Sequence, residues 1–180
     1  LRSACSRRHA SLQNSLSVEP PRTTQSRSAN SLFNFANSAI SVGHTNVKSF
    51  GCDVSDEQAV IESFKETLKV FGKVDACFAN AGAGGGAPFH EFPTDTWRRV
   101  MGINLDGTFF TFREAAKHMI DRGEGGRLIG TSSTSAIHGA ARNEAYAATK
   151  GGMLAMVRGL SVELARYGIT ANSIIPGWIE

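Results

Sequence analysis

The sequence predicts a doubly wound α/β domain, a parallel sheet with helices covering both faces. Three observations predict it. Short apolar runs at residues 74–79, 127–132 and 169–175 are each separated from the next by a segment of helical periodicity, the alternation that makes a sheet parallel. The loops after these runs carry a glycine-rich stretch, a serine cluster and a Pro-Gly pair, and ligands of open α/β sheets bind beyond the carboxyl ends of the strands. The 180 residues, 41% apolar and 8% aromatic, suffice for one core of ordinary size and leave no room for a second domain.

Residues 47–54 (VKSFGCDV) read as the first strand, and Ser55 with Gln58 forms a capping box opening a helix. Its apolar face holds Ile61, Phe64, Leu68 and Phe71, and Gly72 stops it. The strand at 74–79 leads into the glycine-rich loop at 80–86, where backbone must approach something closely. Thr94 begins a helical region running past Asn104 to about Ile120, ended by Gly123, Gly125 and Gly126. The strand at 127–132 ends in the hydroxyl-rich TSSTS. Asn143 or Glu144 starts a helix to Tyr167 with Met153, Leu154, Met156, Val157, Leu160 and Leu164 on its apolar face, Gly168 stops it, and 169–175 is the last strand.

The first thirty residues differ from the rest. They are rich in Ser and Arg, include Pro20 and Pro21, hold Glu19 as their one acid, and have no periodicity, so residues 1–33 are expected to be a disordered or unrelated leader before a domain at 34–180. Such a composition also matches an organelle transit peptide, which leaves a mitochondrial address as the alternative to the cytoplasm. The net charge of +3 belongs to this leader: residues 1–45 hold five Arg against one Glu, while the remainder carries 14 basic and 15 acidic residues. No basic stripe supports nucleic-acid binding, and no apolar run is long enough for a membrane span. Cys5, Cys52 and Cys77 are too few and too far apart for a disulfide framework or zinc site, which fits buried thiols in a reducing compartment.

Tyr146 and Lys150, in AYAATK, stand one helical turn apart on one face. A free phenol is a weak acid-base catalyst at neutral pH, but an ammonium held beside it favours the phenolate. A solvated face would show the same spacing, so the pair acquires meaning only from its company. The combination CDVSD, FANAG, MGINLDGTFF, TSSTSA, YAATK and SIIPG resembles the short-chain dehydrogenase/reductase family in motif, order and spacing over residues 47–180. The resemblance implies a Rossmann-like fold, an NAD or NADP cofactor, and hydride transfer between a nicotinamide and a small carbonyl or alcohol substrate.

By position, the resemblance makes Tyr146 the acid-base residue and Lys150 the cation that assists it and binds the nicotinamide ribose, and it counts both among the cofactor-binding residues. Ser133, thirteen residues before Tyr146, would hold the substrate oxygen. Asn104 matches the asparagine of the family's helix kink, whose backbone carbonyl holds a water leading from the lysine to solvent. Asp53 and Val54 would flank the adenine, Asn80, Ala81 and Gly82 would lie under the adenosine ribose, and Pro176 and Gly177 would shape the backbone against the nicotinamide. His138, Asn143 and Trp178 are candidates for the substrate pocket, with His90 beside them. Neither His has a partner at metal-ligand spacing, so no metal is expected. The helices at 94–120 and 144–167 resemble the family's oligomer faces and imply a homo-oligomer.

The family's glycine-rich phosphate loop would fall near residue 10, where the sequence reads CSRRHASL, and the first glycine is Gly43. A fold incomplete at its N-terminal strands and its C-terminal substrate lid is therefore expected, with open strand edges, an uncovered apolar face and weak cofactor binding by the isolated chain. A catalytically silent paralogue that at most joins other subunits is the alternative to an active enzyme. Substrate identity and the choice between NAD and NADP stay open at this level.

Overall fold

A computed structural model describes residues 46–177. Three strands, β1 (Ala76–Ala79), β2 (Gly126–Thr131) and β3 (Ile169–Ile174), form a parallel sheet in the order β1-β2-β3. The registers pair Cys77 with Leu128 and Leu128 with Ala171. The helices are α1 (Glu57–Phe71), α2 (Thr94–Met101), α3 (Gly107–Arg122), the single turn α4 (Ser135–His138) and α5 (Glu144–Glu163). The expected parallel α/β architecture is present.

Side-chain alternation along the strands places the core on one face. Leu128, Ile169 and Ala171 point into it, together with Phe112, Ala115 and Met119 of α3 and Met153 and Val157 of α5. Each large apolar side chain buried there contributes about 1.5–3 kcal/mol. At the edge of this core Phe64 of α1 meets the His118 ring edge-on at 6.1 Å, and His118 Nε2 accepts from Val74 N at 3.2 Å, tying α1 and α3 to the approach of β1. Among the described residues, the other face lacks the covering helices of the full doubly wound architecture and agrees with the expectation of an uncovered apolar face. Phe78 is 60% exposed and Ile174 50%, in line with exposed Arg127, Thr170 and Asn172, because among the described residues no helix packs there.

Other expectations need correction. Residues 47–54 belong to no sheet among the described residues: the segment has strand composition, but a strand also needs a neighbour to pair with. The cap of α1 is Asp56, not Ser55. Its carboxylate accepts from Gln58 N at 2.9 Å and Ala59 N at 3.2 Å, and its charge suits the positive helix end. Ser55 instead donates its N–H and hydroxyl to Asp53 Oδ1, at 2.9 and 2.7 Å. The region from Thr94 is interrupted by a π-helical turn at Gly102–Asp106 before α3 begins, and α5 passes into a 3₁₀ turn at Ala165–Tyr167.

Two glycines are required where they stand. Gly125 has φ +72° and a Cβ there would lie 2.6 Å from Gly168 O, so the entry to β2 admits no side chain. A Cβ on Gly107 would lie 2.9 Å from both Cγ2 and O of Val54, so the start of α3 can seat against the 53–56 turn only because this side chain is absent. Residues 1–45, including the leader and the position of the phosphate loop, and residues 178–180 lie outside the described residues. Among the described residues no helix is long and apolar enough to cross a membrane.

Candidate active site

The carboxyl ends of β2 and β3 meet the first turns of α5. Ser132 N donates to Ile174 O at 2.8 Å and Thr134 N to Pro176 O at 2.9 Å, extending the pairing beyond the strands. Ser132 Oγ donates to Lys150 O at 3.0 Å, and Lys150 Nζ donates to Thr131 O at 2.5 Å. Lys150 is 3% exposed, and burial lowers its pKa from 10.5 to about 8. It still carries its proton at neutral pH, and two of its N–H donors stay available after the bond to Thr131. Tyr146, one turn earlier, places its ring centroid 5.5 Å from Nζ, within range of a cation–π contact.

Asn104 sits inside the π-helical turn and is fully buried. A π-turn adds a residue to the helix repeat and turns a side chain out of the regular stripe, which is the form the expected kink takes. The amide clamps the glycine-rich loop at both backbone atoms of one residue: Oδ1 accepts from Ala83 N at 2.7 Å, and Nδ2 donates to Ala83 O at 2.9 Å. Nδ2 also donates to Thr149 Oγ1 at 3.0 Å, and Thr149 donates to Tyr146 O at 2.8 Å. A Cβ built on Gly82 would stand 3.6 Å from both Asn104 Oδ1 and Lys150 Nζ. Loop, asparagine and lysine are thus brought together at one point. The Asn104 carbonyl accepts from Thr108 Oγ1 at 2.7 Å, which occupies one of its two lone pairs.

Ser133 is half-buried and its hydroxyl oxygen accepts from Ser135 N at 3.2 Å. Pro176 and Gly177 lie against the same turn, a Cβ on Gly177 standing 3.6 Å from Thr134 Cγ2. Asp53 and Asn80 are exposed, Ala81 and Gly82 half-buried, and Val54 packs on Gly107. His138 is exposed at the end of α4, and His90 is exposed and beside Glu91 at 3.4 Å. Trp178 lies outside the described residues. Asn143 turns to the loop: its Oδ1 accepts from Gly85 N at 3.3 Å, while Arg99 Nη2 donates to Gly84 O at 2.8 Å. Loop residues 83–85 are therefore fixed by three side chains from three elements.

Sequence reasoning missed Thr149 and the anchoring part of Asn143 and Arg99. A polar residue beside Lys150 on the buried side of an apolar helix is the signal that marks Thr149. Among the described residues no group of three metal-ligating side chains occurs.

The short chain dehydrogenase family model matches residues 24–180, starting upstream of the boundary set at residue 34 by composition. An uncharacterized oxidoreductase of Thermotoga maritima is 40% identical over 71% of this chain and 50% of its own length. An L-rhamnose-1-dehydrogenase of Scheffersomyces stipitis is 36% identical over 78% of this chain and 55% of its own. The structure of NAD+-bound xylitol dehydrogenase is 35% identical, with TM-score 0.71, over 73% of this chain and 51% of that one. A putative gluconate dehydrogenase from Agrobacterium tumefaciens, 35% identical, gives TM-score 0.75 over 83% and 58%. The chain spans about half the length of the curated relatives it matches.

Proposed function

The chain belongs to the short-chain dehydrogenase family, and on that premise we propose that it is an NAD(P)-dependent oxidoreductase acting on the alcohol or carbonyl of a small polyol or sugar. The observation that carries the proposal is Lys150, a buried cation one turn from Tyr146 and within reach of Gly82, at the carboxyl ends of the sheet. Desolvation of an ammonium costs stability, and a site that keeps one without a carboxylate partner has a use for its charge.

The described residues fit a nicotinamide dinucleotide. Lys150 has N–H donors left for a ribose, and Gly82, which has no side chain of its own, would place a Cβ 3.6 Å from both Lys150 Nζ and Asn104 Oδ1. Asn80, Ala81 and Gly82 would lie under the adenosine ribose, Asp53 and Val54 beside the adenine, and Pro176 and Gly177 against the nicotinamide. When bound, this cofactor takes a hydride from the alcohol carbon or returns one to the carbonyl. Tyr146 Oη takes the proton of the alcohol, or in reverse donates one to the forming alkoxide. The Lys150 ammonium favours the phenolate, Ser133 Oγ hydrogen-bonds the substrate oxygen, and the Asn104 carbonyl would hold a water that returns the proton from Lys150 to solvent. His138, Asn143 and Trp178 would border the substrate. Of these, Asn143 acts through the 84–85 loop it anchors.

Sugar and polyol chemistry in the names of the relatives supports that substrate class. Exposed Phe109 (44%) and Val162 (80%) on the expected oligomer helices support a homo-oligomer, and a cytoplasmic location is part of the same proposal. The dehydrogenase names of the relatives do not favour the catalytically silent alternative. The test is an assay of purified protein with NAD+ and NADP+ against xylitol, L-rhamnose and D-gluconate, following reduced nicotinamide. Turnover with at least one pair is expected, at cofactor concentrations well above micromolar in keeping with the weak binding expected of the isolated chain. No turnover in either direction and no cofactor binding would overturn the proposal.

A further inference from the structure

Asn143 is the N-cap of α5, a place where an asparagine side chain ordinarily accepts from the first free N–H groups of its own helix. It makes no such bond. Its Oδ1 accepts instead from Gly85 N at 3.3 Å, in the glycine-rich loop 58 residues earlier in the chain. Arg142 is bent to the same end. It holds φ 64°, a left-handed conformation uncommon for a residue with a side chain, and its carbonyl accepts from Ala87 N at 3.1 Å. The loop is thereby joined to the turn that opens α5, and Tyr146 follows within one helical turn.

A second helix, α2, also holds this loop. Arg99 Nη2 donates to Gly84 O at 2.8 Å, and a Cβ on Gly85 would fall 2.4 Å from Thr96 Cγ2, so the loop lies too close to α2 for a side chain. The carbonyl of Gly84 and the N–H of Gly85 belong to one trans peptide, and they point to opposite sides of the chain. Arg99 therefore takes one side of this peptide and Asn143 the other. With glycine at both of its ends, the peptide has little steric resistance to turning over. The two side chains fix its plane, and neither of them hydrogen-bonds Tyr146, Lys150 or Ser133.

We propose that Arg99 and Asn143 are positioning residues that lock the plane of the Gly84–Gly85 peptide and so keep the glycine-rich loop as a fixed wall of the substrate site. The loop starts at Gly82, beside Lys150 Nζ and Asn104, and ends on the turn before Tyr146. Both its ends rest against elements that carry the proposed catalytic group. A peptide free to turn over would have to be ordered by each incoming substrate, and that cost falls on binding. Loss of the clamp should therefore raise KM more than it lowers kcat. The inference rests on the oxidoreductase reading, and it adds that loop order is set in part from α2, by an exposed side chain that takes no part in the chemistry.

The test compares Arg99→Met, Arg99→Lys, Asn143→Ala and Asn143→Asp with the wild type by two measurements. Amide exchange of the cofactor-free protein reads the clamp itself at Gly85 and Ala87, and KM and kcat, with the alcohol that the wild type oxidises, read its consequence. Asn143→Ala should speed exchange at Gly85 and raise KM, each about tenfold, and Arg99→Met should do the same about threefold. Asn143→Asp keeps the acceptor and Arg99→Lys keeps a donor, so each should restore most of both. Arg99 is exposed, and Arg99→Met serves if a thermal melt shows Asn143→Ala to be unfolded. Exchange or KM unmoved in the folded variants, kcat falling as far as KM rises, or Asn143→Asp behaving like Asn143→Ala would each overturn the inference while wild-type turnover stands. No wild-type turnover would overturn the oxidoreductase reading and this inference with it.

Discussion

The two halves of α5 bury the same helix face by opposite means. Its lower half places Met153, Leu154 and Val157 into an apolar core against the sheet, where stability comes from area and tolerates adjustment. Its upper half buries Thr149 and Lys150, where the groups are held by hydrogen bonds to Asn104, Tyr146 O and Thr131 O. The lower half positions the helix. The upper half gives up some stability to keep a charge and an amide in place, and a group missing there leaves its partners unpaired.

The contrast breaks most sharply at Lys150. Burial holds its pKa at about 8 against an ordinary 10.5, so between those values the unfolded chain binds more protons than the folded one. Stability should therefore rise with pH across that window, and below about pH 8 the folded chain bears the full cost, about 3 kcal/mol. Lys150→Met should flatten that rise, raise the melting temperature at pH 7, and lower turnover by about 10²–10⁴. Thermal melts across pH 7–10.5 with a turnover assay check all three. In the lower half the sign is opposite: Met153→Ala, which removes a fully buried side chain, should lose about 2–5 kcal/mol by denaturant unfolding at every pH.

Smaller effects refine the comparison. Asn104→Ala strips partners from Ala83 N, Ala83 O and Thr149 at once and should cost about 2–3 kcal/mol, with faster hydrogen exchange at the Ala83 amide as its local signature. Thr149→Val, equal in shape, should cost about 1–2 kcal/mol, and Thr149→Ser should recover most of it.

What the sequence makes legible follows the same division. The strands at 74–79, 127–132 and 169–175 and the apolar stripe of α5 are readable because burial repeats with a fixed period. Tyr146, Lys150, Ser133 and Asn104 are singled out by the motifs around them, and the structure brings Lys150, Asn104 and Gly82 to one point. The rest depends on neighbours that no local pattern encodes. Residues 47–54 have strand composition and no described strand beside them. Asp56 wins the cap from Ser55 by one residue, since both are good caps and only geometry decides. The π-turn is invisible in the hydrophobic period because it is the local defect that shifts that period, and the bond of Asn143 to Gly85 cannot be read from its place in the sequence.

The central claim is that Tyr146, assisted by the buried Lys150, moves the proton. The most direct measurement compares Tyr146→Phe with the wild type in both cofactor titration and turnover. The account predicts a loss of turnover of at least about 10²-fold, far larger than any loss of cofactor affinity. Wild-type turnover in Tyr146→Phe, with the fold intact, would contradict it.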